Sequence, residues 1–249
     1  FATASDNVQV GGGSGNIFRN APFQIQNFYN AFSIICLLMT TAFMNATANR
    51  DFEYGMHQFV FSSPIKKRDY FFGKFIGAAL IAALPAIGIS IGTLLGPPLA
   101  AVFDMAPAER FGDICWSAHG LGLLEFAIPN AIISGVFLFS LAILFRSTIV
   151  SFVDSMLLLV FYIISGNYTR DIQTEWVANL LDPFGSYPFE NVTKYLTVAE
   201  RNFEVVRFEG GLLVNRLVWL GIAALILVLV YLRFSFNTRK EKQPKEKLS

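Results

Sequence analysis

The chain has 249 residues, 54% of them hydrophobic and only 15% charged, with a formal net charge of +1. A soluble domain carries about 25% charged residues, so this composition argues against a water-soluble globule and for a bilayer as solvent. The near-neutral balance gives no global field for nucleic acid.

The first segment, residues 1–25, is expected to be extracytoplasmic. It begins with Phe1 and carries no signal-peptide pattern. Its glycine-rich run, Gly11 to Asn16, lacks the lysine of a phosphate-binding loop and reads as a flexible turn. Five runs are then long and apolar enough to span, at the roughly 20 residues a membrane helix needs. They cover about 26–47, 70–95, 121–145, 149–165 and 212–234, within a membrane domain of 26–235. Cys36 in the first run reads as a small core residue, and neither it nor Cys115 has metal-ligand spacing around it.

Orientation follows from lysine and arginine in the loops. Loop 49–69 holds Arg50, Lys66, Lys67 and Arg68, with Lys74 just inside the next span. The third-to-fourth turn holds Arg146, and the tail 236–249 is rich in lysine. With alternating spans these places share one side, which therefore takes most of the 19 basic residues and reads as cytoplasmic. The N-terminus then lies outside. One further span preceding Phe1 is the expectation, giving six with both ends inside. The predicted class is an all-α polytopic membrane protein.

In loop 49–69, Phe52, Met56 and Phe59 or Val60 fall at helical spacing, with Asp51, Glu53, His57 and Gln58 between them. This predicts one amphipathic helix over Arg50 to Val60. Ser63 is suited to an N-cap and Pro64 to the first helical position, so a new helix is expected to start at Pro64. The acidic edge, Asp51 and Glu53, is unsuited to an anionic leaflet and favours a protein partner over a helix resting on lipid headgroups. In the second span Gly73, Gly77, Gly88, Gly92 and Gly96 recur at four-residue spacing. Such faces let helices approach closely, so this span is expected to be interior, packed on other helices or on a second copy.

Ionisable groups inside spans carry a functional hypothesis by default. Glu125 in the third span and Asp154 in the fourth are candidates for a substrate path or proton coupling. The bland alternatives are that Glu125 reaches water at the outer end and that Asp154 does so at the inner end or pairs with Arg146. Asn130 follows Pro129, where a local break exposes backbone polar groups. Arg216 is expected to snorkel outward. Segment 167–211 is expected to form short helices at the outer interface, with Trp176, Tyr187, Phe189 and Tyr195 as an aromatic belt.

The stretch "NRDFEYGMHQFVFSSPIKKRDYFFGKFIGA" resembles the first cytoplasmic loop of type-2 ATP-binding-cassette (ABC) exporter permeases, through Arg50, Glu53, Gly55, Ser63, Pro64, Lys67, Tyr70, Gly73 and Lys74. The motif covers about 30 residues, and the spacing of spans extends the resemblance along the chain. The opening "VGGGSGNIFRNAPFQI" resembles bacterial permeases whose polypeptide continues into a zinc aminopeptidase-like domain; this chain has no HExxH, so peptidase activity does not carry over. The resemblance implies a multi-pass permease in a bacterial inner membrane. In such proteins this loop forms a coupling helix docked on a separate ATP-binding subunit, and a second permease half completes the transporter. It places the docking role on Arg50, Asp51, Glu53, Gly55, Met56, Phe59, Ser63, Pro64 and Lys67. ATP and magnesium would be bound by the partner, with no cofactor, nucleic acid or catalysis on this chain. An anchor or scaffold without transport of its own is the alternative, and an ion-coupled carrier resting on Glu125 and Asp154 is a third reading.

Overall fold

The computed structural model describes residues 15–170 and 173–235. The tail 236–249 and most of the first segment, including Gly11 to Ser14, lie outside the described residues. Five helices or helix pairs are long and apolar enough to cross a membrane. They are α1 (Pro22–Glu53), α3 (Lys67–Val102), the continuous pair α4 (Trp116–Gly122) and α5 (Ile128–Phe145), α6 (Thr148–Asn167) and α10 (Gly210–Arg233). Short helices complete the set: α2 (His57–Ser62) on one side, and α7 (Glu175–Leu181), α8 (Ser186–Thr193) and α9 (Val198–Phe203) on the other. There is no strand among the described residues. The chain is an all-α, multi-pass membrane fold.

Two spans run well past their predicted ends. The first continues through Asp51 and Glu53, and α3 continues through Pro97 and Pro98 to Val102. Both extensions enter polar or proline-containing sequence, where hydropathy fades while the backbone stays helical, although Pro97 and Pro98 each lack the N–H of a helical bond.

The α4–α5 pair is the central span. In its most apolar stretch 61% of residues are buried, against 17% for α3. Ile133, Val136, Leu138, Phe139, Ala142 and Ile143 of α5 fill the middle of the main core, together with Leu37 and Met44 of α1, Phe71 of α3 and Trp219 of α10. Gly135 leaves room for the Met44 side chain, whose Cε would lie 2.6 Å from an added Cβ.

The glycine-faced span is therefore not interior in this chain. An added Cβ at Gly73, Gly77, Gly88 or Gly92 would meet nothing within 4 Å. Small residues at four-residue spacing mark a face that can be approached closely; among the described residues none packs on it at Gly73, Gly77 or Gly88, whereas Gly96 is buried.

A five-residue π-helical turn, Leu123–Ala127, joins α4 to α5. Pro129 sits in the first turn of α5 and has no N–H for the carbonyl of Glu125, so the helix widens just before it. The break expected at Pro129 thus exists, displaced toward the N-terminus.

Candidate functional site

Three polar constellations stand out, one at the basic end and two within or beyond the membrane bundle. The basic end gathers loop 54–66, the α5–α6 turn and the C-terminus of α10, as the charge pattern predicts. Lys67 lies over the Tyr231 ring at 4.5 Å, Arg146 lies over Phe52 at 4.0 Å, and Tyr70 stacks on Phe234 at 5.8 Å.

The single amphipathic helix expected over Arg50 to Val60 is two pieces. Arg50, Asp51, Phe52 and Glu53 form the last turn of α1, and the chain turns at Gly55, whose φ of +68° is costly for any residue with a side chain. A new helix, α2, runs from His57 to Ser62. Ser63 does not cap α3. Its hydroxyl donates to the carbonyl of Val60 at 2.5 Å and closes α2 instead, while Pro64 and Ile65 lie in the connector. The third helix begins at Lys67, where Asp69 in the first turn complements the helix dipole.

Asp51 does not form an outward acidic edge. Its carboxylate accepts from the Tyr70 hydroxyl at 2.8 Å and lies 2.7 Å from Lys74 Nζ, an ion pair with side chains only 19% and 16% exposed. This strap ties the end of α1 to the start of α3. A chain of rings reinforces it: Phe52 stacks on His57 at 5.2 Å and meets Phe61 at 5.9 Å, and Phe61 meets Tyr70 at 5.8 Å. A six-residue helix is marginal alone, and this packing holds α2 in place. Lys67 is likewise turned inward, toward the last turn of α10.

What remains outward is a different set. Arg50, Glu53 and Gly55 are exposed, and so are Tyr54 (73%), Met56 (50%), Phe59 (72%) and Ile65 (45%). No residue of α2 is buried. Of the predicted docking residues, Arg50, Glu53, Gly55, Met56, Phe59 and Pro64 face outward, whereas Asp51 belongs to the strap, Lys67 turns to α10 and Ser63 closes α2. Tyr54 was not singled out in the sequence, because it falls outside the helical spacing of Phe52, Met56 and Phe59.

The second constellation centres on Arg216, which does not snorkel outward. It is fully buried, and its Nη1 donates to Asn130 Oδ1 at 2.7 Å, its Nη2 to the Pro183 carbonyl at 3.1 Å and its Nε to Asn215 Oδ1 at 2.8 Å. Asn130 Nδ2 in turn donates to Ser33 Oγ at 2.7 Å and to the Phe184 carbonyl at 3.1 Å. Asp182 accepts from the amides of Phe184 at 2.8 Å and Tyr187 at 2.9 Å. Burial pushes the Asp182 carboxyl above the ordinary carboxylate range, against the pull of those amides and the Arg216 charge. Gly185 completes the cradle: its φ is +76°, and an added Cβ would lie 2.6 Å from Arg216 Nη2. These bonds fasten residues 182–186 to α1, α5 and α10. Asn130 is thus a structural clamp with its amide fully engaged, not a free group on a path.

The third concerns the two acidic residues. Glu125 does not reach water: it is fully buried in the π turn, where Oε2 accepts from Gln26 Nε2 at 2.9 Å. Gln26 also exchanges hydrogen bonds with the backbone of Val206, at 2.9 and 3.0 Å, so this group pins residue 206 to α1. Asp154 is 1% exposed, and neither carboxyl oxygen has a hydrogen-bond partner among the described residues, Arg146 included.

A narrow cleft lies between α1, α3 and α5, lined by Ser33, Cys36, Thr40, Ala82, Ala86 and Ser134 among others. Glu125, Asn130 and Asp154 do not line it. The outer segment is helical as expected, with Trp176 (63%) and Tyr195 (81%) exposed as belt residues require, but Phe189 is buried against Phe126 and Tyr187 stacks on Tyr162. His119 packs beside this region, its Nδ1 3.4 Å from the Tyr29 hydroxyl and 3.5 Å from Thr93 Oγ1.

Fold and site together define a multi-pass α-helical membrane protein with a rigidly strapped helix at its basic end. The chain matches no protein-family model, no curated protein and no solved structure.

Proposed function

We propose that the chain is the permease subunit of an ABC exporter in a bacterial inner membrane, driven by an ATP-hydrolysing subunit docked on residues 50–65. The observation that carries this reading is the combination at α2. Large apolar side chains point outward on a helix whose base is fixed to two spans by Asp51, Lys74 and Tyr70. An exposed apolar patch on a rigid mount is suited to a protein surface and to transmitting force. A push on Tyr54, Met56 and Phe59 would move α1 and α3 together and alter the cleft between them. A second permease half would complete the path, and the open glycine face of α3 is a surface on which another helix could pack.

That same unpartnered face favours a second reading, an anchor or scaffold within a larger complex. Unchanged substrate flux in cells with a disrupted chain would support it.

The test is affinity purification of the full chain from its native membranes, assayed for ATP hydrolysis. The unsubstituted chain is expected to bring ATPase activity with it, and Phe59→Glu and Glu53→Lys to lose most of it. Both residues are exposed, so neither change disturbs the fold. Undiminished ATPase association in both variants would refute docking at this loop.

A further inference from the structure

Asp154 has no role in the strap, the Arg216 cradle or the cleft. It sits about 9 Å along α6 from Thr148, at about 1.5 Å per residue, on the face that also buries Ser151, Ser155 and Leu158. No neighbour satisfies it. The Ser151 hydroxyl donates to Asn45 Oδ1 at 3.0 Å and the Ser155 hydroxyl to the Phe152 carbonyl at 2.8 Å.

Nor does a charge face it in a hydrogen bond. On α1 the charged residues are Arg50, Asp51 and Glu53 in the last turn, with Asp51 committed to Lys74. The α5 helix carries none, and Arg146 beyond its end lies over Phe52. Arg216 of α10 is held by Asn130 and Asn215, and Arg233 closes that helix at the basic end. On α7, Glu175 pairs with Lys194 at the far end of α6.

An ionised carboxylate buried without a partner is too costly to persist, and such groups neutralise instead. A metal ion would need a shell of several oxygens. Among the described residues toward this end of the bundle, the other buried acceptors without a partner are Asn49 Oδ1 and Ser140 Oγ, too few for such a shell. A single proton is sufficient.

There is also a route. Thr148 is exposed at the basic end, Asn45 Nδ2 donates to its Oγ1 at 3.3 Å, and Asn45 Oδ1 accepts from Ser151 Oγ, one helical turn before Asp154. Asn49 Nδ2 joins the same oxygen at 2.7 Å.

We propose that Asp154 is a proton-binding site, loaded from water at the basic side of the membrane along the polar edge formed by Thr148, Asn45 and Ser151. Uptake is a simple addition: a carboxylate oxygen takes a proton from hydronium, leaving water, and the site becomes neutral. This inference does not depend on the docking of an ATPase.

Infrared spectroscopy of the full chain in lipid nanodiscs tests it. At neutral pH a carboxylic-acid C=O band is expected that vanishes in Asp154→Asn and survives in Glu125→Gln. Aspartate carrying a ¹³C carboxyl should shift that band, and the shifted band should persist in Asp182→Asn, which keeps the test valid if Asp154→Asn misfolds. Asn45→Leu should slow deuterium exchange of the band at least tenfold. No aspartic-acid band at neutral pH, a carboxylate band lost in Asp154→Asn, or a band that appears only on removing sodium would overturn the site. An unchanged exchange rate in Asn45→Leu would overturn the route.

Discussion

Arg216→Ala is expected to destabilise the protein by ~3–5 kcal/mol, the usual cost of removing one member of a buried charged network. The loss has several parts. Asn130 Oδ1, Asn215 Oδ1 and the Pro183 carbonyl all lose their donor, and the Asp182 carboxyl loses the guanidinium beside it. Arg216→Lys should recover less than half, because one ammonium cannot reach three acceptors spread around a planar fork. Denaturant titration of the purified protein in detergent, followed by circular dichroism, reads the difference. A change within ~0.5 kcal/mol, the range of ordinary surface substitutions, would show that the outer segment does not depend on this cradle.

Asp51→Ala is expected to cost about 2 kcal/mol, less than a fully buried pair because both side chains keep some contact with water. It leaves Lys74 half-buried without its counter-ion and removes the acceptor of the Tyr70 hydroxyl. Adding Lys74→Met should recover most of the loss, since an apolar replacement of a buried charge is often neutral once its partner is gone. The same titration measures both. Equal and additive costs for the two substitutions would mean that the strap does not couple them. Under the proposed mechanism Asp51→Ala has a second consequence. The ATPase should remain bound, because Phe59 and Glu53 are untouched, while substrate movement falls.

The number and order of the five spans, and the gathering of the basic segments at one end, were legible in the sequence, because hydropathy and the lysine and arginine pattern depend only on the bilayer. Which face of each span is packed was not. The glycine spacing of α3 announces a surface that can be approached closely, and among the described residues it stays open at Gly73, Gly77 and Gly88 but is covered at Gly96. The reversal at Arg216 has the same origin. An arginine near a span end reads as snorkelling until Asn130, Asn215 and the Pro183 carbonyl, distant in sequence, supply an inward set of acceptors. At the basic loop the helical spacing of Phe52, Met56 and Phe59 suggested one helix. Gly55 divided it, and Asp51 was drawn inward by Lys74 and Tyr70, residues beyond the loop.

Docking of a soluble partner on α2 is the central claim, and crosslinking from Phe59 measures it most directly. A photoreactive side chain placed at Phe59 in the full chain, activated in native membranes, is expected to join a soluble ATP-hydrolysing protein. The same group at Tyr195, exposed at the opposite end, is expected not to. Crosslinks from Phe59 to lipid alone would make α2 a helix resting on the membrane surface and would contradict the proposed function.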